Sequence, residues 1–251
     1  MKKMFMGIVV SSIVTLGTLT PVLAATTAGE STGQTHITVD VTPGKDIKPV
    51  QPDNPNVAAT DATNNGTDST TNSGPLALVY VTKALNFGPI SLKATGEQTS
   101  SVNADTGLWN KQMVVEVGDL RGTLAGWQLS VRGSQLVKQD AGTRATDAMI
   151  TGAKVTFKNE QVLSSTADTN QKVAMTGAEN QAQVNQDETD IQLGTEAGSQ
   201  TLLKAAEGTG YGMTTMRVNP NDINLSLPRN AKTGTFTTDL TWTLNNVPQE
   251  A

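Results

Sequence analysis

Few residues of this chain have the types and spacing that catalysis or metal binding requires. Clustered carboxylates at Asp187-Glu-Thr-Asp190 would suit a glycosidase or a calcium site, but the residues around them, from Gln181 to Gln192, are polar and lack the glycine pattern of a calcium loop. We interpret this cluster as part of a solvated loop. The single histidine, His36, lies outside the predicted domain, so it supports neither a Ser-His pair nor a histidine metal cluster. The sequence therefore predicts neither an enzyme nor a metal or cofactor site.

Two stretches far apart in the chain share a Trp-x-Leu sequence within an alternating pattern. Their apolar positions are Trp127, Leu129 and Val131 in the first stretch and Leu240, Trp242 and Leu244 in the second. Side chains alternate between the two faces of a strand, so each set of three is expected on one face. Two strands that are built alike predict a shared role in the folded protein.

Charged and aromatic side chains near these stretches are the candidates for ligand recognition. Asp119 and Arg121 are two residues apart, so they are expected on the same side of a strand, where they could form a bidentate pair. An aromatic ring offers a platform for the C–H face of a sugar, but only when the ring is exposed. Trp127 and Trp242 are expected in the core, where each ring buries a large apolar area. The candidates for an exposed ring, which have polar or glycine-rich neighbours, are Trp109 and Tyr211.

The elements that position these residues are predicted to be strands. Apolar runs are separated by clusters of Gly, Asn, Asp and Pro, and no window of a dozen residues has helical periodicity. The polar stretch 164–199 is interpreted as a long surface loop or a weak hairpin. The pattern predicts an all-β fold, an antiparallel β-sandwich with long polar loops. Its predicted strands are 76–82, 85–88, 113–117, 127–131, 148–157, 202–205, 213–218, 223–227 and 235–244.

Three regions are expected along the chain. In residues 1–25, Lys2 and Lys3 precede an apolar run that ends in small residues, which predicts a secretory signal peptide cleaved after Ala24 or Ala25. A membrane anchor is the alternative, but polar residues interrupt the run. Residues 26–75 contain five of the ten prolines and no aromatic residue, which predicts a disordered linker. Residues 76–251 form the predicted domain.

The chain is acidic and contains no cysteine. Its net charge is −5 at pH 7, and removal of Lys2 and Lys3 with the signal peptide changes that charge to −7. Nucleic acids and anionic membranes bind basic surfaces, so neither is expected as a partner. The absence of cysteine excludes disulfides and thiolate chemistry, and in a secreted protein it favours a Gram-positive bacterium over a eukaryote as the source.

An ordered set of short motifs surrounds the two Trp-x-Leu stretches. In chain order the motifs are Leu85-x-Phe-Gly88, Val117-x-Asp-x-Arg-Gly122, Gly126-Trp-x-Leu-x-Val131, Gly208-x-Gly210 and Gly234-x-Phe-x-x-x-Leu-x-Trp-x-Leu-x-x-x-Pro248. The set resembles the WxL-domain family of Gram-positive surface proteins, from about residue 76 to the C-terminus. One departure is Phe236, where such proteins commonly have tyrosine.

The resemblance implies a secreted domain that attaches non-covalently to the cell wall, usually to peptidoglycan, and a membrane-anchored partner protein. A covalent wall-sorting signal is not expected, because Leu227-Pro-Arg-Asn-Ala231 lacks the threonine-glycine pair of such signals. The alternatives are a subunit whose true ligand is the partner protein, and a polysaccharide-binding module. The implied site residues, as ligand contacts or as scaffold, are Asp119, Arg121, Trp127, Leu129, Leu240, Trp242 and Leu244.

Overall fold

Strands account for nearly all the regular structure of a computed structural model, which describes residues 35–60, 66–68, 74–104, 108–139, 148–165 and 182–246. Two 3-10 turns, Trp109–Lys111 and Pro220–Asp222, lie between strands. In chain order the strands are β1 (Val50–Gln51), β2 (Asn54–Ala58), β3 (Gly66–Asp68), β4 (Leu76–Thr82), β5 (Gln98–Ser101), β6 (Met113–Asp119), β7 (Trp127–Gly133), β8 (Leu136–Lys138), β9 (Met149–Ile150), β10 (Ala153–Lys158), β11 (Gln161–Ser164), β12 (Gln183–Val184), β13 (Glu188–Leu193), β14 (Gln200–Ala205), β15 (Gly212–Val218), β16 (Ile223–Leu227), β17 (Phe236–Thr237) and β18 (Leu240–Asn245).

Two larger sheets and two smaller ones contain these strands. The eight-stranded sheet has the order β12-β14-β7-β13-β10-β16-β5, and β18 pairs with β7 beside this path. The five-stranded sheet has the order β11-β15-β6-β4-β3. Pairing is antiparallel except for one bridge between Leu193 on β13 and Gly133 on β7. The small sheets are the β1-β2 hairpin and the group β17-β8-β9.

One hydrophobic core lies between the two larger sheets. Strand β10 shows how alternation builds it, since Val155 and Phe157 are buried in the core while Lys154 and Lys158 remain half-buried on the other face. From the opposing sheet, Val115 on β6 joins the same core. The structure therefore confirms the prediction of an all-β, antiparallel sandwich.

Most predicted strands are present, but several limits differ. Residues 85–88 do not form a strand: the Asn86 side chain accepts a hydrogen bond from the Gly88 N–H (2.8 Å), and Gly88 has φ of 64°, which turns the chain. Gly152 divides the predicted strand 148–157 into β9 and β10. The predicted strand 235–244 is likewise two strands, β17 and β18.

The prediction of a surface loop over residues 164–199 is wrong for the second half of that range. Strand β13 lies inside the eight-stranded sheet, where it pairs with β10 over six residues. Its inward side chains Thr189, Ile191 and Leu193 are buried, and polar residues occupy the alternate positions. An acidic, polar neighbourhood concealed this half-buried pattern. Residues 166–181 lie outside the described part of the chain.

The expected disordered linker 26–75 also differs from the structure over its middle part. We define the N-terminal segment as residues 44–59; it carries β1 and β2 and packs on the outer face of the five-stranded sheet. The Gly44 N–H donates to the Leu120 carbonyl (3.0 Å), and Val50 is only 7% exposed. Its order comes from these contacts with the domain, which its composition does not reveal.

The chain divides into two compact units, residues 1–40 and 41–251. In the first unit, the described residues 35–40 are exposed and have no regular secondary structure. The predicted signal peptide, residues 1–25, lies outside the described residues. Across the part of the chain that the structure describes, no helix is long and apolar enough to cross a membrane.

Candidate functional site

The two Trp-x-Leu strands are neighbours in the eight-stranded sheet. Strands β7 and β18 pair in antiparallel register, with Trp242 opposite Val131 and Leu244 opposite Leu129. The apolar sets of both strands therefore lie side by side on the inner face. Tertiary structure thus joins two stretches separated by more than one hundred residues, a pairing that the shared pattern did not by itself predict.

Trp127 is a wholly buried anchor at the start of β7. Its ring is 0% exposed, and its indole N–H donates to the Gly210 carbonyl (3.0 Å). The backbone at Gly210 lies so close to the ring that a Cβ there would overlap Trp127 and Ala205, and its φ of 74° also favours glycine. This close passage of the chain over the indole explains Gly210 of the Gly208-x-Gly210 motif, and Gly208 has φ of 85°, which also favours glycine.

Trp242 has a different environment. It is half-buried on β18, and its ring meets Phe157 edge-on, with 6.4 Å between ring centroids. Leu240 and Leu244 are also half-buried, whereas Leu129 on the neighbouring strand is 0% exposed. Equal sequence patterns thus give a central, buried strand and a partly exposed one.

Asp119 and Arg121 form the predicted bidentate pair at the end of β6. Arg121 Nε donates to Asp119 Oδ1 (2.9 Å) and Arg121 Nη2 donates to Asp119 Oδ2 (2.7 Å). The Asp119 side chain is 3% exposed and that of Arg121 is 14% exposed. The hydrogen bond to Asp119 raises the pKa of Arg121, although burial opposes this. The pair is a well-made ion pair largely removed from water.

The guanidinium of Arg121 also connects the two Trp-x-Leu strands. Its Nη2 donates to the carbonyl of Gly126 (2.7 Å), directly before β7, and its Nη1 donates to the carbonyl of Asn246 (3.1 Å), directly after β18. Because Asp119 belongs to the five-stranded sheet, this clamp fastens both sheets at one end of the sandwich. Asp119 and Arg121 therefore hold the ends of β7 and β18 in place.

The family comparison agrees with this geometry. A family model described as WxL domain surface cell wall-binding matches residues 28–248. The chain belongs to the WxL domain family. Searches of curated proteins and of solved structures found no match. The family match includes the N-terminal segment as well as the sandwich.

Within the WxL domain, the two rival aromatic residues have opposite environments. Trp109 is 8% exposed and packs against Tyr80, with 4.7 Å between ring centroids, so the expectation of an exposed ring is wrong there. The N-terminal segment helps to cover this cluster through Ala59. Tyr211 is 45% exposed, as expected, and follows the Gly210 passage over Trp127.

The acidic cluster is not a loop. Glu188 and Asp190 lie on β13, where their partners are the lysines of β10: Lys158 with Glu188 (3.0 Å) and Lys154 with Asp190 (2.7 Å). Among the described residues, no group of three or more His, Cys, Asp or Glu side chains could hold a metal ion. Glu188 and Asp190 are instead ion-paired on the outer face of the sheet, and Asp187 directly precedes β13.

Sequence reasoning missed the burial of Glu116. This residue is 0% exposed on the outer face of β6, and it accepts hydrogen bonds from the Val50 N–H (3.2 Å) and the Thr215 hydroxyl (3.4 Å). Burial raises the pKa of Glu116 to about 8, although the two hydrogen bonds oppose this rise. The signal in the sequence was a carboxylate within a strand of valines. Such a carboxylate is expected to be exposed unless another segment of the chain covers its face of the sheet.

Proposed function

We propose that the chain is a secreted, non-catalytic surface protein that attaches non-covalently to peptidoglycan through its WxL domain. The observation that carries this proposal is the cell wall-binding family match over both Trp-x-Leu strands and the whole described sandwich. The strands pack as one inner-face unit, so the motifs support attachment by building the domain. Basic residues at Lys2 and Lys3 before an apolar run support export.

A sedimentation assay tests this proposal. The secreted chain is incubated with purified, protein-free peptidoglycan, with and without wall teichoic acid, and the bound fraction is measured. We expect binding to peptidoglycan in both preparations. Binding only when teichoic acid is present would contradict peptidoglycan as the ligand, and a failure to bind either preparation would contradict wall attachment by this chain alone.

A second candidate function is supported by the edge of β18. Among the described residues, β18 pairs only with β7, so its other edge offers backbone groups to a strand of a partner protein. The partner would be a membrane-anchored surface protein. The discriminating assay compares walls that retain their envelope proteins with protein-free peptidoglycan. Binding to the first but not to the second would favour this function over wall attachment.

A further inference from the structure

A polar groove lies on the outer face of the eight-stranded sheet, away from the Trp-x-Leu side chains. It is formed where β13, β10, β16 and β5 lie side by side, and its volume is about 290 Å³. We call it the outer groove; its lining residues are Glu97, Thr99, Lys154, Thr156, Lys158, Glu188, Asn224 and Ser226. All eight carry a hydrogen-bonding side chain, and none is apolar.

Strand register arranges these polar groups in rows across the sheet. Thr156 lies opposite Asp190 on one side and Asn224 on the other, and Lys154 lies opposite Ser226. Neighbouring strands are about 4.8 Å apart, so each row presents donors and acceptors at regular, close intervals. The short side chains of Thr, Ser and Asn lose little conformational entropy on binding, and the paired strands beneath them hold them in place.

Ion pairs neutralise the lysines of the outer groove. Lys154 Nζ lies 2.7 Å from Asp190, which also accepts from the Thr156 hydroxyl (2.6 Å), and Lys158 Nζ lies 3.0 Å from Glu188. Glu97 adds another carboxylate, so the two lysines and two glutamates of the lining balance, and Asp190 behind them adds one further negative charge. A phosphate-bearing polymer would therefore find no unmatched cation to bind, and an apolar partner would find no apolar surface.

The ligand that fits this surface is uncharged and rich in hydroxyl and amide groups. Hydroxyl groups donate to carboxylates and accept from ammonium groups, and such charge-assisted hydrogen bonds are stronger than neutral ones. Amide groups match the side chains of Thr99, Asn224 and Ser226, whereas Thr156 is buried and its hydroxyl already donates to Asp190. The glycan strand of peptidoglycan, whose sugars carry hydroxyl and acetamido groups, has this chemistry. Its peptide stems, which carry charged groups, match it less well.

We propose that the outer groove binds the sugars of the peptidoglycan glycan strand. This inference rests on the proposed wall attachment and gives it a contact surface. The inner face then builds the domain, and the opposite face of the same sheet holds the ligand. The Trp-x-Leu residues and the ligand are on different sides of the eight-stranded sheet.

The decisive test is chemical-shift mapping with three probes: peptide-free glycan oligosaccharides, isolated stem peptides, and wall teichoic acid. We expect the glycan oligosaccharides to shift the amide signals of Thr99, Thr156, Asn224 and Ser226. Shifts produced by stem peptides or teichoic acid but not by glycan would overturn the proposal. Glycan shifts confined to β18 or Tyr211 would overturn it as well.

A pair of double variants then measures the contribution of the outer groove. Asn224→Ala with Ser226→Ala removes two lining groups and leaves the ion pairs intact, and loss of about two hydrogen bonds should weaken glycan binding about tenfold. Thr241→Ala with Thr243→Ala is the matched control, because these exposed residues lie on β18, outside the groove. We expect the control to bind like wild type.

Thermal unfolding of both double variants shows whether a loss of binding is due to a loss of stability. A groove variant that unfolds like wild type and binds glycan equally well would overturn the outer groove, while wild-type sedimentation with peptidoglycan would leave the proposed function standing. If wild type neither sediments with peptidoglycan nor responds to glycan oligosaccharides, both proposals fail. The two failures are therefore distinguishable.

Discussion

The outer faces of the two sheets are built from similar alternating strands but have different surroundings. On the five-stranded sheet, the N-terminal segment covers β6 and β15: Ile47 packs on Gly118, and Asp53 pairs with Arg217. On the eight-stranded sheet, the charged side chains of β10 and β13 are about one-third to one-half exposed and lie in ion pairs.

The two faces differ in the environment that they give to charged side chains. Glu116 on the covered face is held neutral near pH 7, because burial raises its pKa to about 8. On the open face, carboxylates and ammonium groups pair with one another and remain about one-third to one-half exposed. The covered face and the interior therefore serve stability, and the open face is left for contact. Four predictions test this division.

The largest expected effect is in the interior. Trp127→Ala should lower the free energy of unfolding by about 3–5 kcal/mol, because it empties a fully buried site. Trp242→Ala should lower the free energy of unfolding by less, about 1.5–3 kcal/mol, because Trp242 is only half-buried. Denaturant unfolding measures both values. Wall binding should be lost only when the domain unfolds, so a Trp242→Ala protein that melts like wild type but no longer sediments with walls would make that ring a ligand contact.

The Asp119–Arg121 ion pair, which is largely removed from water, should contribute more to stability than the ion pairs on the open face. Arg121→Ala leaves Asp119 without its partner, which we expect to lower the free energy of unfolding by about 3–5 kcal/mol. Lys154→Ala breaks an exposed pair and should lower it by about 0–1 kcal/mol. Denaturant unfolding of the two variants, side by side, measures the contrast. Equal losses would show that the ion pairs of the two regions do not differ.

The covered face should give the domain a specific pH dependence. The native state retains the Glu116 proton up to about pH 8, whereas the unfolded chain releases it from its ordinary pKa near 4.5. Stability should therefore fall as pH rises between these values and level off above them. Each unit of pKa shift corresponds to about 1.4 kcal/mol, so the total loss is a few kcal/mol.

Two variants isolate this dependence. Glu116→Gln resembles the protonated side chain, so it should reduce the slope and be more stable than wild type above pH 8. Glu188→Gln, on the open face, should keep the wild-type slope, since that side chain is 52% exposed. Unfolding free energies measured from pH 5 to pH 9 test both expectations. A Glu116→Gln protein with the wild-type slope would contradict burial of this carboxylate.

The smallest expected effect is that of salt on wall binding. The chain is acidic and the wall carries phosphate and carboxylate groups, so long-range repulsion opposes approach. Salt shortens the Debye length from about 10 Å at 0.1 M to about 3 Å at 1 M, which weakens that repulsion. The bound fraction should therefore hold or rise slightly across a salt series, and also toward pH 5. Elution by a few hundred millimolar salt would show that a basic patch dominates binding.

The sequence by itself determined the features that depend on local alternation. The period of two placed Trp127 and Leu129 on one face of β7, and the two-residue spacing of Asp119 and Arg121 allowed their bidentate pair. The same pattern predicted an all-β sandwich and, with the ordered glycine motifs, the WxL family. These features depend on local spacing and on the order of motifs along the chain, and a sequence displays both directly.

Only the tertiary structure decided which faces are covered and which strands are central. Polar alternation in β13 looks the same at a surface as inside a sheet, and the N-terminal segment becomes ordered only through contacts with β6 and β15. Glu116 and Trp109 are buried because that distant segment lies over them. Alternation separates the two faces of a strand, but long-range packing determines what each face meets.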